Sequence, residues 1–272
     1  MSEKKLVLIT GATDGIGKQT AFELIQQGAR VLVHGRTAKK AQATQEELRD
    51  LTKSDYIEAL HGDVGSLPEM RVMAQQVAAK HQRLDVLLNN AGVFAKERTL
   101  TPDGFELTMG VNHFGHFTLT HALLPLLRQS TQGRVINLSS IAHSRGDLDL
   151  DDLTFAKHFD GYQAYAASKL ANILFTYALA RRLNQTNITV NAIHPGVIST
   201  KLLTQAFGIS GGGLAQGAAT SVLLATDPAF SKVTGRYFAD RRESPSSQRS
   251  HNQDLQEKFY ALSCQLTGVA PL

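Results

Sequence analysis

The fold is decided by one stretch near the start of the chain, Leu6-Val7-Leu8-Ile9-Thr10-Gly11-Ala12-Thr13-Asp14-Gly15-Ile16-Gly17. Its first half is an apolar run that predicts a buried strand, and Lys18 to Gln27 behind it has the composition of a helix. Glycines between a strand and a helix let the backbone approach a pyrophosphate, which the free N–H groups of the helix N-terminus attract. Glycines also form ordinary turns, but this context favours a dinucleotide-binding loop. The residues expected to contact the dinucleotide here are Gly11, Thr13, Asp14, Gly15, Ile16 and Gly17.

The alternation of strand and helix continues along the rest of the chain. It is typical of a parallel sheet that is covered by helices on both faces. No Pro/Ser-rich linker divides the chain. The predicted fold class is therefore α/β, with one doubly wound parallel sheet of seven strands in a single domain over residues 1–272. The strands after the first are predicted at Val31 to His34, Tyr56 to Leu60, Leu84 to Asn89, Arg134 to Ser139, Ile188 to His194 and Arg236 to Ala239.

Composition and charge exclude several classes of protein. The 272 residues are 42% hydrophobic and 19% charged, which is a globular composition. The only cysteine, Cys264, excludes a disulfide framework and fits a reducing compartment. A net charge of +4 is far below that of a nucleic-acid-binding surface, and no apolar run approaches ~20 residues. We therefore expect a cytoplasmic protein with neither a membrane anchor nor a nucleic-acid partner.

The glycine spacing, Gly-x-x-x-Gly-x-Gly, is followed by further motifs that occur together in one known family. In chain order they are Asp63, Asn89-Asn90-Ala91-Gly92, Asn112, Ser139-Ser140, Tyr165-Ala166-Ala167-Ser168-Lys169 and Pro195-Gly196. With them the whole chain resembles the short-chain dehydrogenase/reductase superfamily. The resemblance implies a Rossmann-type sheet with strand order 3-2-1-4-5-6-7, a nicotinamide cofactor, and hydride transfer between that cofactor and a small carbonyl or alcohol.

Four stretches are most similar to the retinol dehydrogenase and WW-domain oxidoreductase branch of this superfamily. They are residues 111–117, 139–143, 168–175 and 194–196. The 24 residues between Ser140 and Tyr165 also suit the longer insert of that branch. Membrane-bound retinoid enzymes of the branch carry an N-terminal anchor and a more apolar lid. We expect no anchor in this chain, and its lid ends in the glycine-rich stretch Phe207 to Gly213. These departures favour a soluble aldehyde or ketone over a retinoid.

Just past the second strand, in His34-Gly35-Arg36, Arg36 lies nineteen residues after Gly17, where an NAD-binding chain has an acidic residue. An arginine pairs with a 2′-phosphate, so we expect NADP(H) rather than NAD(H). A solvated helix start, with Lys39 and Lys40, is the alternative explanation of this arginine. Asp14 stands where some NADP-using relatives have a second basic residue. The resemblance adds cofactor contacts at Asp63, Val64, Asn90, Ala91, Gly92, Tyr165, Lys169, Pro195, Gly196, Ile198 and Thr200.

Tyr165 and Lys169 are four residues apart in a segment of good helix formers, so they project from one helix face. A nearby ammonium and an oxidised nicotinamide favour the phenolate, and we expect a lowered pKa for Tyr165. Tyr165 is then the general acid for carbonyl reduction and the general base for alcohol oxidation. In the family, Lys169 also binds the nicotinamide ribose, Ser140 holds the substrate oxygen, and Asn112 positions a water for a proton relay.

Two polar segments interrupt the alternation and are expected at the carboxyl edge of the sheet, where ligands bind in doubly wound folds. They are an insert loop at residues 141–161 and a substrate lid at residues 197–214. The helix at Tyr162 to Asn184 is apolar on more than one face, which predicts a homodimer or homotetramer contact and leaves a monomer open. His113, His116 and His121 have no acid or cysteine at zinc-like spacing, so no metal is expected.

These observations predict an NADP(H)-dependent oxidoreductase that acts on a small carbonyl or alcohol, with reduction as the favoured direction. Two alternatives stay open. One is a protein that senses NADP(H) or binds a partner on the same fold without turnover. The other is dehydration or epimerisation on the same scaffold, although no additional acid-base pair supports it.

Overall fold

Eight strands form one sheet in the computed structural model, which describes residues 4–272 apart from the side chains of Gln205 and Phe207. Their order is β3-β2-β1-β4-β5-β6-β7-β8, and β1 to β7 are parallel. The bounds are β1 Leu6–Ile9, β2 Arg30–Gly35, β3 Ile57–His61, β4 Val86–Asn89, β5 Gly133–Leu138, β6 Ile188–His194, β7 Arg236–Ala239 and β8 Arg242–Glu243. The α/β class and the strand order are thus confirmed. Residues 1–3 of the predicted single domain lie outside the described residues.

The prediction of seven strands is one too few, because the short β8 pairs antiparallel with β7 at the sheet edge. Its two residues are exposed, so no apolar pattern marks them. The turn before it places Asp240 and Arg241 at φ of 49° and 63°. Positive φ at both central residues is the geometry of a two-residue hairpin whose twist matches that of the strands.

Helices cover both faces of the sheet, as predicted. Val7 and Ile9 of β1 face α1 and α8, whereas Leu6 and Leu8 face α3, α5 and α6 on the other side. Successive strand residues point to opposite faces, so both faces need apolar residues. The helices are α1 Gly15–Gln26, α2 Ala38–Thr52, α3 Leu67–Lys80, α4 Leu107–Met109, α5 His116–Gln129, α6 Gly161–Arg182, α7 Lys201–Phe207, α8 Leu214–Thr226 and α9 Gln253–Thr267.

The sequence predicts a helix from Phe114 to Arg128, but the helical segment that contains it begins earlier, at Leu107 of α4. Glu106 caps α4, because its two carboxylate oxygens accept hydrogen bonds from the N–H groups of Thr108 and Met109, both at 2.8 Å. A π-helical turn, Gly110–Gly115, joins α4 to α5. All six residues of this turn are buried, and Asn112 is one of them. Glu106 follows a mostly exposed stretch and is itself acidic, so no apolar pattern marks the start of α4. The helix predicted from the sequence therefore starts too late.

Helix α6 is covered by its own chain. Every residue from Ala164 to Ala180 is buried, and α9 packs across the helix. Glu257 of α9 forms ion pairs with Arg181 and Arg182. This section of α6 therefore offers no surface to a second copy. The oligomeric state itself stays a prediction.

The two segments at the carboxyl edge are both tied to the fold. The insert at 141–161 opens with a 3₁₀ turn, Ile141–Arg145, and then buries Leu148 and Leu153 against the α4–α6 core. The segment at 197–214 carries α7 and is closed at its base, because Gly212 N–H donates to the Val197 carbonyl at 2.8 Å. A Cβ on Gly211 would lie 2.1 Å from that carbonyl oxygen, which explains a glycine there. No helix within residues 4–272 has the length and apolarity needed to cross a membrane.

Candidate active site

A cavity of about 630 Å³ opens at the carboxyl edge of the sheet. Its walls come from the loops after β1, β2, β3, β4, β5 and β6, from α6, and from the 197–214 segment. Every site residue predicted from the sequence lines this cavity except Asn112, which is buried behind it. The tertiary structure therefore brings together residues from Gly11 to Thr200 that are dispersed along the chain. Doubly wound sheets bind ligands at this edge.

The glycine-rich loop has the close backbone approaches that a dinucleotide cradle needs. Gly11 has φ +63°, and a Cβ there would lie 2.8 Å from the Ala91 Cα. A Cβ on Gly17 would lie 2.3 Å from the Gly11 carbonyl oxygen. Asn90 Nδ2 donates to the Thr10 carbonyl at 2.8 Å and so joins the loop after β4 to this loop. Free space over the N-terminus of α1 together with these glycines fits a pyrophosphate.

His34, at the end of β2, supports this cradle and was not predicted as a site residue. Its Nδ1 accepts a hydrogen bond from Gly11 N–H at 3.1 Å, and its Nε2 lies 2.9 Å from the Gly62 carbonyl oxygen. These two partners require the neutral ring with the proton on Nε2. Burial lowers the pKa of His34 and so favours that neutral form. No local pattern could reveal this contact, because Gly11 and Gly62 are distant in sequence.

The predicted 2′-phosphate end of the cavity contains Arg36 and Asp14. A Cβ on Gly35 would lie 2.5 Å from Thr13 Cγ2, so the end of β2 touches the glycine-rich loop beside Arg36. Asp14 forms an ion pair with a residue of α7, since Lys201 Nζ lies 2.5 Å from Asp14 Oδ2. A hydrogen bond from Lys201 lowers the pKa of the Asp14 carboxyl. Sequence spacing gave no indication of this pair.

Tyr165 lies on the first turns of α6, whose N-terminus is capped by Asp160. Its side chain is hydrogen-bonded to Ser140, and its ring centroid lies 5.8 Å from that of Phe94. Burial raises the pKa of Tyr165 to about 12, and the bond to Ser140 only partly opposes this shift. The lowered pKa that we expect when an oxidised nicotinamide is bound stays a prediction, because this shift comes from the chain's own groups alone. At neutral pH Tyr165 is a protonated phenol, which is a proton donor.

Lys169 lies one helical turn beyond Tyr165, as the four-residue spacing predicts. Its ammonium is 5.5 Å from the centroid of the Tyr165 ring and donates to the Leu138 carbonyl at 3.3 Å. Burial lowers the pKa of Lys169 to about 8. Lys169 thus keeps its charge at neutral pH but holds it less firmly than an exposed lysine does.

The two adjacent serines point in different directions. Ser140 caps the 3₁₀ turn, with its Oγ accepting from Ala142 N–H at 3.2 Å, and this places the hydroxyl beside Tyr165. Ser139 Oγ donates to the Lys169 carbonyl at 2.7 Å and is buried. The geometry therefore makes Ser140 the serine that can reach a substrate oxygen.

Asn112 uses its side chain for structure. Its Nδ2 donates to Ser168 Oγ at 2.9 Å and to the Val93 carbonyl at 3.1 Å, and its Oδ1 accepts from Val93 N–H at 2.8 Å. The backbone carbonyl lies 3.2 Å from His116 Nδ1. The side-chain amide is therefore engaged within the protein, and the expected role of Asn112 in positioning a water stays a prediction.

The buried histidines pair with hydroxyl groups. His113 bonds to Ser263, His116 to Thr10 and His121 to Tyr260, at 3.1, 2.8 and 2.8 Å. Burial lowers their pKa values to about 3, 3 and 4. Within residues 4–272, no group of three or more His, Cys, Asp or Glu side chains is arranged to hold a metal ion.

The end of the cavity beyond Tyr165 is apolar. Phe94, Tyr162 and Leu202 pack around Tyr165 and Ala142. At the mouth, Ile141, Val197 and Ile209 are 61%, 49% and 50% exposed. Large apolar side chains that stay exposed together at a cavity mouth are typical of a binding surface.

Comparisons with known proteins agree with this geometry. The sequence profile of the short chain dehydrogenase family matches residues 5–208. Mouse retinol dehydrogenase 12 is 39% identical over 274 residues, covering 97% of this chain and 87% of its own. Human retinol dehydrogenase 13 is 37% identical over 282 residues, and that alignment covers 97% of this chain and 85% of the human protein.

Solved structures show the same fold. An uncharacterised protein from Mycobacterium paratuberculosis superposes with a TM-score of 0.84 at 33% identity, covering 98% of this chain and 95% of its own. A short chain dehydrogenase from Escherichia coli, solved with NADPH, superposes with a TM-score of 0.73 at 27% identity. The match covers 88% of this chain and 97% of the Escherichia coli chain. The profile match, the identities and the shared fold establish that the chain belongs to the short-chain dehydrogenase family of oxidoreductases, with retinol dehydrogenases among its relatives.

Proposed function

We propose that this protein is an NADP(H)-dependent carbonyl reductase of the cytoplasm, acting on apolar aldehydes or ketones, with residues 197–214 as its substrate lid. The observation that carries the proposal is the buried, protonated Tyr165 beside Ser140 and Lys169, in the cavity that also contains the glycine-rich cradle. A binding protein has no chemical need for a phenol, a hydroxyl and an ammonium arranged together.

The chemistry follows from the chain's own groups. A bound nicotinamide supplies the hydride. Ser140 donates a hydrogen bond to the carbonyl oxygen of the substrate and holds it against Tyr165. Tyr165 then gives its proton to that oxygen as negative charge develops on it, and the Lys169 ammonium stabilises the resulting phenolate. The phenolate then regains a proton from the Lys169 ammonium, which takes one from solvent in turn.

The pKa of Tyr165 predicts different pH dependences for carbonyl reduction and alcohol oxidation. Reduction needs the phenol, which is the dominant form below a pKa of about 12. Alcohol oxidation needs the phenolate, whose fraction rises about tenfold per pH unit below the pKa. We therefore expect carbonyl reduction to stay level and alcohol oxidation to rise from pH 6 to 7, below the pKa of about 8 at which Lys169 loses its charge. Initial rates in both directions test this, and an oxidation rate that is greatest at pH 6 would contradict it.

Arg36 supports NADP(H) over NAD(H), and the relatives solved with NADP or NADPH are consistent with that choice. Replacing Arg36 by Asp removes a charge-assisted bond to a 2′-phosphate, so we expect KM for NADPH to rise roughly thirtyfold, or about 2 kcal/mol. KM for NADH should fall. The matched control is Lys39→Asp, the same charge change on an exposed side chain outside the cavity wall. An unchanged ratio of the two KM values in Arg36→Asp would remove Arg36 from cofactor choice.

The deciding experiment is turnover on a panel of carbonyl compounds. Aldehydes and ketones of increasing alkyl length are supplied with NADPH or NADH, and nicotinamide absorbance is followed. We expect kcat/KM to increase with alkyl length, because Tyr162 and Leu202 of the cavity wall are largely apolar and Phe94 packs beside them. Tight NADPH binding without turnover of any compound would favour the sensing protein instead.

A further inference from the structure

His143 contacts Ser140 through both its ring and its backbone, and the chemistry proposed above uses neither contact. Its Nδ1 lies 2.6 Å from the Ser140 carbonyl oxygen, and its backbone N–H donates to the same oxygen at 3.1 Å. On the other side of the ring, Nε2 lies 3.0 Å from the backbone nitrogen of Ser247. The side chain is 3% exposed and packs on Tyr237, with the two ring centroids 5.0 Å apart.

These contacts determine the ring's tautomer. The Ser140 carbonyl can only accept, so Nδ1 must carry a proton. The Ser247 N–H can only donate, so Nε2 must be unprotonated. The ring is therefore neutral with its proton on Nδ1. Both ring nitrogens are used, and each connects a different segment of the chain.

The two segments have different roles. Ser140 lies two residues after the end of β5, and its hydroxyl is hydrogen-bonded to Tyr165. Ser247 belongs to the stretch after β8, where Ser244 N–H donates to the Tyr237 carbonyl at 2.9 Å and so ties that stretch to β7. His143 thus joins the catalytic loop to the far edge of the sheet.

We propose that His143 is a positioning residue: by holding the Ser140 carbonyl from the Ser247 side, it sets the direction in which the Ser140 hydroxyl faces Tyr165. This inference rests on the proposed function, because Ser140 matters only if a substrate oxygen is bound there. Three successive constraints act on Ser140, from Ala142 N–H, His143 N–H and His143 Nδ1–H. The ring is the only one of the three that extends beyond the local turn.

Two amide replacements separate the contacts. His143→Asn can place an amide N–H near the position of Nδ1, whereas His143→Gln reaches the position of Nε2 instead. For His143→Gln we expect kcat to fall about tenfold with KM for NADPH unchanged, the scale of one lost buried hydrogen bond. His143→Asn should recover only part of that loss, because it keeps the contact to Ser140 and gives up the one to Ser247. Equal losses in the two variants would overturn the proposal.

A purely structural effect is separated by repeating His143→Gln in a Ser140→Ala background. If His143 acts through Ser140, the second change should then lower kcat by less than about twofold. A further tenfold fall in that background would overturn the proposal. If His143→Gln fails to fold, Ser247→Pro serves instead, because φ −62° suits proline, whose ring carbon replaces the N–H and so breaks the contact to Nε2. Ser247→Pro should lower kcat, whereas its matched control Ser247→Ala, which keeps the N–H, should not.

One readout does not need turnover. Nitrogen-15 NMR of the imidazole in the wild-type protein at pH 7 should report a neutral ring protonated at Nδ1. The Nε2-protonated tautomer or a charged ring would overturn the inference about His143. Absence of wild-type turnover with the Nδ1–H tautomer present would instead overturn the proposed function.

Discussion

Tyr165→Phe is expected to lower the rate of carbonyl reduction about a thousandfold, within the range that general acid catalysis supplies. The variant loses one oxygen atom and with it the proton that the substrate oxygen receives. The ring, its packing on Phe94 and the cavity wall all remain. NADPH affinity, measured by fluorescence titration, should therefore stay close to that of the wild type. The rate is read from single-turnover reduction of the best aldehyde in the panel.

Tyr260→Phe is the matched control for this prediction. Tyr260 is also buried and hydrogen-bonded, with its hydroxyl 2.8 Å from His121 Nε2, but it does not line the cavity. Its loss should cost about 1 kcal/mol of stability, as for one buried hydrogen bond, and leave the rate nearly unchanged. A Tyr165→Phe enzyme with more than about a tenth of the wild-type rate would show that another group donates the proton.

Gly115→Ala is expected to give the largest loss of stability among the glycine variants outside the cofactor loop. Gly115 ends the π-helical turn that carries Asn112, and a Cβ there would lie 1.9 Å from the Val64 backbone oxygen. Backbone cannot move aside as a flexible side chain can. We expect the free energy of unfolding to fall by about 3 kcal/mol, at the upper end of overpacking costs. Denaturant melts with a fitted m-value measure it.

Gly213→Ala provides the matched control. Gly213 caps α8 with φ −75°, and a Cβ there meets no atom within 4 Å. We expect less than about 0.5 kcal/mol of change at this position, in line with ordinary surface substitutions. Equal denaturation midpoints for Gly115→Ala and Gly213→Ala would contradict the close contact between the π-helical turn and the Val64 backbone.

Most of the fold was predictable because it follows from local patterns. Seven apolar runs separated by helical segments predicted the parallel sheet and its class, and the motifs predicted its order. The eighth strand escaped because its two residues, Arg242 and Glu243, are exposed and depend on the turn before them. The early start of the α4–α5 segment escaped because its signal is a single buried cap, Glu106.

The candidate site divides in the same way. The glycine-rich loop, the Tyr165 and Lys169 pair and Ser140 belong to motifs that are visible in the sequence, and the structure brings them to one cavity. His34, Lys201 and His143 contribute through Gly11, Asp14 and Ser247, which are far from them in sequence. No spacing rule relates such pairs, because their distance is set by how the elements pack.

By itself the sequence determined the fold class, the cofactor cradle and the residue types of the catalytic group, because each depends on chain segments of a few residues with helical or strand geometry. Only the tertiary structure decided the protonation of those groups. Burial beneath several elements raises the pKa of Tyr165 to about 12 and lowers that of Lys169 to about 8, whereas the sequence suggested only the effect of a neighbouring ammonium and a bound nicotinamide. Desolvation depends on every atom that surrounds a side chain, and those atoms come from the whole fold.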